Sequence, residues 1–171
     1  ASDVYKRQVV TIAHELGHAY HGHLIQDHRP LNRTYTMPVA ETASNFNETL
    51  VMNAAIARAR GQEKLALLEQ RLQDYTQVIC DIYSRFLFER EVFEERKGGF
   101  LFPERLCRIM AETQKTAYGP GLDPACLHPY MWVNKVHYYY TTLSFYNFPY
   151  AFGALLATGL YAVSYTHLRA H

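Results

Sequence analysis

The chain has 171 residues, 49% of them hydrophobic and 19% charged, with a formal net charge of +1. That balance suits a globular chain with a sizeable buried core and excludes a disordered tail. Near-neutral charge offers no basic surface, so neither nucleic acid nor an anionic membrane is an expected partner.

The first predicted element carries His14-Glu15-Leu16-Gly17-His18, an HExxH pattern. On a helix, residues four apart share a face, so both imidazoles can converge on one Zn²⁺ at ~2.0–2.1 Å each. Glu15, beside them, can take the proton from a water activated by the metal, the work of a general base. The apolar run Val9-Val10-Thr11-Ile12-Ala13 just before His14 is expected to pin this helix in a core. His21, His23 and His28 follow closely, but a three-ligand site does not need them. His23 and His28 are read as surface or loop residues.

A catalytic zinc site wants a third protein ligand and an open position. The next segment, from Met37 to Glu48, offers Glu41 and Glu48, about two helical turns apart and so close to one face. Pro38 suits the first turn of a helix. Glu41 is chosen as the third metal ligand. Glu48 is placed behind it, holding a ligand imidazole in its tautomer.

Leu65, Leu68, Leu72, Tyr75, Ile79, Ile82 and Phe86 then recur every three or four residues. They predict a long amphipathic helix over about Gln62–Glu95, with that stripe as its core face. Gly98-Gly99 ends it, Pro103-Glu104 opens another helix with Leu106, Ile109 and Met110 inward, and Gly119-Pro120-Gly121 with Asp123-Pro124 marks a loop. Cys80, Cys107 and Cys126 are odd in number and lack a CxxC, which reads as reduced thiols and a cytoplasmic protein.

From His137 to Leu168 the chain carries no formal charge. Asn147, Pro149 and several Tyr and Thr interrupt it, leaving a strongly apolar run only over Ala151–Val163. That length fits a buried helix better than a membrane span. His137, Tyr146 and Tyr150 are donors able to sit at the edge of an apolar cleft and face a developing oxyanion. Packing aromatics are the alternative reading of the same tyrosines.

Together these pieces resemble the thimet oligopeptidase and oligoendopeptidase F family of zinc peptidases. The resemblance rests on His14-Glu15-Leu16-Gly17-His18-Ala19, on Ala40-Glu41-Thr42-Ala43-Ser44-Asn45-Phe46-Asn47-Glu48, on His137-Tyr138-Tyr139-Tyr140, and on Phe145-Tyr146-Asn147-Phe148-Pro149-Tyr150-Ala151-Phe152-Gly153. It spans roughly Val9 to Val163 with the pieces in the family's order. It implies an all-α, gluzincin-type helical zincin binding one Zn²⁺ per chain through His14, His18 and Glu41, with Glu15 as base. It also implies that Tyr146 and Tyr150, with His137, hydrogen-bond the tetrahedral intermediate. The expected activity is endopeptidase cleavage of short peptides. The rivals are a zinc carboxypeptidase of similar helical fold and a catalytically incomplete, peptide-binding fragment.

The two ends look foreign to this pattern. Asp3 to Gln8 can be encoded as GAT GTG TAT AAG AGA CAG, and the complementary strand in another frame encodes Val163 to His167 and begins Leu168. Residues 1–8 and 164–171 are therefore expected to be an adaptor-derived scar, leaving residues 9–163 as a partial catalytic domain. A missing N-terminal lobe of the same protein is then the expected partner completing the substrate channel.

Overall fold

A computed structural model describes the backbone of residues 2–169 and the side chains of residues 8–164. Six α-helices follow in order: α1 (Ser2–Ile25), α2 (Met37–Arg58), α3 (Gly61–Thr76), α4 (Ile82–Arg96), α5 (Pro103–Tyr118) and α6 (Phe148–Arg169). The connections are short 3-10 turns, one π segment and irregular stretches, and the described residues contain no strand. The all-helical class is the one expected.

The chain divides into two compact units, one of residues 1–73 with 149–171 and one of residues 74–148. In the first, α2 begins where Pro38 can occupy a first-turn position, its missing N–H costing nothing there. Met52, Ala59 and Leu67 form a small core, with Val10, Ala55 and Ile56 packed against it. The apolar lead-in to the HExxH pattern does less than expected. Val10 and Ala13 turn inward, whereas Val9 and Ile12 stay exposed along with Leu16, Tyr20 and Leu24 further down α1.

Small residues, more than large ones, hold this unit together around Glu41. A Cβ built on Gly17 of α1 would lie 2.6 Å from the Ser44 Cα and 2.7 Å from the Ala43 carbonyl oxygen of α2. One built on Gly153 of α6 would lie 2.8 Å from both the carbonyl carbon and the Cβ of Glu41. Backbone therefore meets backbone on both sides of one turn of α2. Gly22, on the same α1, has nothing within 4 Å of its Cβ position. The two glycines should respond to alanine with opposite signs. Gly22→Ala is expected to stabilise by about 1 kcal/mol through helix propensity. Gly17→Ala gains the same propensity but forces a helix displacement costing about 1–3 kcal/mol, so its net effect is destabilising. Thermal unfolding of the two variants checks the contrast.

The expected long helix is present but interrupted. Between α3 and α4 lies a π segment, Gln77–Asp81, in which the Ile82 N–H bonds the Gln77 carbonyl. The extra residue in that turn rotates the following face by about 100°. The apolar stripe does not form one core face, and it already fails ahead of the π segment. Leu65 and Leu72 are 60% and 68% exposed, and α3 buries Leu67 instead. Beyond the π segment, Ile82, Ser84, Leu87, Phe88 and Glu89 are buried.

The second unit packs Phe88 of α4 against Ile109 and Met110 of α5, with Val92, Leu101, Leu106, Met131, Trp132 and Tyr138 around them. Its irregular segment is tied down by polar side chains. Gln114 accepts from the His128 N–H and donates to the His128 carbonyl, both at 2.9 Å. Glu89 accepts the Phe145 N–H at 2.6 Å, and burial raises its pKa. Phe145 has φ 56°, a left-handed conformation uncommon for a bulky residue, and its ring packs on Phe86 and Phe93. Among the described residues, no helix is long and apolar enough to cross a membrane.

Candidate metal centre

Two elements of the first unit build the site. Helical spacing brings His14 and His18 edge to face, with ring centroids 4.8 Å apart and their Nε2 atoms 3.2 Å apart. From α2, Glu41 is 6% exposed and sets Oε2 at 3.5 Å from His14 Nε2. One donor atom from each of the three residues lies within 4.8 Å of the others. Ligands bonded at ~2.0–2.1 Å to one tetrahedral ion are about 3.3 Å apart. The two direct separations bracket that value.

The donor set itself fits a dication. Glu48 Oε1 lies 2.5 Å from His14 Nδ1. A carboxylate only accepts, so His14 carries a proton on Nδ1 and its Nε2 lone pair is directed at the site. Two imidazole nitrogens and a buried carboxylate oxygen then face one point. Without a cation between them, one Nε2 must hold a proton for the 3.2 Å contact to be favourable. The structure duly holds the His14 pKa above its ordinary value. Its hydrogen bond to Glu48 is the chief cause, opposed by burial and helped by the charges of Glu48, Glu41 and Glu15.

That shift sets two opposite pH dependences. The His14–Glu48 pair stabilises the metal-free chain fully below the unfolded histidine pKa, and this contribution is lost as pH rises through His14's raised value. A metal ion at this site would need the Nε2 lone pair, so its binding would strengthen over the same rise. Thermal unfolding between about pH 5 and 9, with and without zinc, should show the zinc-induced gain growing as the metal-free stability from this pair declines.

Glu41 is also held by polar side chains one turn further along α2. Ser44 Oγ lies 3.0 Å from the Glu41 carbonyl oxygen and 3.3 Å from Oε2, and Asn45 Nδ2 donates to the same carbonyl at 2.6 Å. Ser44, Asn45, Gly17 and Gly153 were not singled out as site residues by sequence reasoning. The available signal was modest: a polar Ser three residues after a candidate ligand, and glycines where a helix would prefer alanine.

The remaining candidates are placed as follows. Glu15 is exposed on α1 next to His14. Tyr150, half-buried in the first turn of α6, precedes Gly153 by three residues and so shares the side of α6 that meets Glu41. His137 and Tyr146 belong to the second unit, with ring centroids 5.8 Å apart. His137 lies 4.3 Å from the Tyr138 ring, and its Nε2 is 2.6 Å from Asn147 Nδ2. Burial, then the charges of Arg85 and Lys135, hold its pKa below the ordinary histidine value. His21 packs against Tyr35 with tilted rings, centroids 4.4 Å apart, and takes no part in the His14–His18–Glu41 group.

Comparison with curated proteins and with solved structures found no match. A sequence model of the family described as Peptidase family M3 matches residues 5–165.

Proposed function

The chain belongs to peptidase family M3, and from that premise we propose a zinc-dependent endopeptidase that hydrolyses short oligopeptides. Membership makes the protein a metallopeptidase with peptides as its substrate class. One observation carries the finer reading, the convergence of His14, His18 and Glu41 within 4.8 Å. These three residues hold one Zn²⁺ per chain, and Glu48 holds His14 in the ligating tautomer.

Bound zinc supplies Lewis acidity toward a water and toward the scissile carbonyl. Glu15, exposed beside His14, takes the proton of the attacking water on its carboxylate and delivers it to the leaving amine. Tyr150 donates a hydrogen bond to the carbonyl oxygen as negative charge develops there, and Tyr146 or His137, by the family motif each matches, is a further donor toward bound peptide. Gly17 and Gly153 bring backbones close enough to fix Glu41 before any ligand arrives.

Metal analysis followed by peptide hydrolysis tests this. The expected result is about one zinc per chain. Peptides blocked at both ends should be cut internally, cleavage should stop with a chelator, and zinc should restore it. Release of C-terminal residues from unblocked peptides alone would make the protein a carboxypeptidase. Zinc bound without hydrolysis would leave a peptide-binding fragment.

A further inference from the structure

We propose that Asn147, oriented by the Asp81–Arg85 ion pair, is a positioning residue that fixes His137 as its Nδ1–H tautomer. Nδ1 is then the atom His137 offers to a peptide carbonyl, a second step that rests on the role given to His137 above.

The case is one of donors and acceptors, entirely within residues 74–148. Arg85 makes a short ion pair with Asp81, one turn earlier. It also donates from Nη1 to Asn147 Oδ1 at 3.3 Å. A guanidinium has no acceptor, so the amide must turn its oxygen toward Arg85. Its NH₂ group is thereby left facing His137 Nε2 at 2.6 Å. An NH₂ group only donates, so Nε2 must accept, and the ring proton of the neutral imidazole moves to Nδ1.

Asn147 and Asp81 are both buried, which denies the amide the solvent it would need to turn over. Tyr138 and Tyr146 lie against the imidazole ring and resist its rotation. Protonating His137 would set an N–H against the Asn147 NH₂, so the network opposes the charged form. The residues involved lie far apart in sequence, with Arg85 62 positions before Asn147.

The tautomer is directly measurable on the full chain labelled with ¹⁵N-histidine. Two-bond proton–nitrogen correlations distinguish Nδ1–H from Nε2–H, and loss of one signal set in His137→Gln assigns the residue. The expected wild-type result is Nδ1–H. Asn147→Asp keeps the shape but replaces the donor with an acceptor, so it should switch His137 to Nε2–H. With that switch, kcat on a blocked peptide should fall by ~10²-fold or more while KM changes little. In a His137→Gln background the same substitution should cost nothing further. An Nε2–H wild-type signal overturns the proposal without needing any variant. A switched tautomer with unchanged kcat overturns the positioning role. Hydrolysis that ignores a chelator would instead sink the zinc-peptidase reading and leave the tautomer result standing.

Discussion

Glu15→Gln is expected to keep its zinc and lose turnover by ~10²–10⁴-fold, the usual contribution of a positioned general base. Glutamine preserves the length and shape of the side chain but cannot accept a proton from an attacking water. Glu15 is exposed and ties no other element down, so stability should change by no more than about 0.5 kcal/mol. It does add negative charge near His14, one of the smaller influences raising that imidazole's pKa. The same charge also attracts a dication, so its loss leaves the competition between proton and metal at His14 little changed. The predicted signature is thus specific. Metal content is undiminished, kcat collapses, and KM moves little because the lost interaction belongs to the transition state. Normal turnover by a zinc-loaded Glu15→Gln protein would remove Glu15 as the base.

The same residues show which parts of a helical site can be read from a linear chain. The pairing of His14 with His18, and of Glu41 with Glu48, was legible because helix geometry converts spacings of four and seven into shared faces; that the two pairs meet was carried only by the order of the motifs. Pro38 likewise marks its helix start by local chemistry. The exposed stripe of α3 was not legible. Periodicity reports that a helix has an apolar face, but not whether this chain supplies something to cover it. The π segment at Gln77–Asp81 then shifts the phase, and nothing in the apolar pattern announces one extra residue in a turn. Gly17 and Gly153 were invisible for another reason. Their necessity comes from the backbone of α2, a neighbour known only once the chain has folded. Arg85 and Asn147 belong to this last kind too.

Glu41→Ala is expected to abolish stable zinc binding, whereas Glu48→Gln should weaken it by ~10–100-fold. Glu41 is the only oxygen donor in the His14–His18–Glu41 group, and removing it leaves two imidazoles on one helix, too few for a site of three protein ligands. Glu48 acts through His14 Nδ1, so its loss frees the tautomer but leaves all three donors in place. Stability separates these effects from simple damage to the fold. A buried carboxylate facing two imidazoles is costly in the metal-free chain unless a histidine proton is shared with it. Glu41→Ala gives up that shared proton and leaves a small cavity, so the metal-free protein should unfold at a somewhat lower temperature than the wild type but still fold. What should vanish is the rise in unfolding temperature on adding zinc, since a ligand stabilises only the state that binds it. Calorimetric titration with zinc, paired with thermal unfolding of both variants, measures all of this. A Glu41→Ala chain that still gains the full zinc-induced stabilisation would show that another residue supplies the third donor.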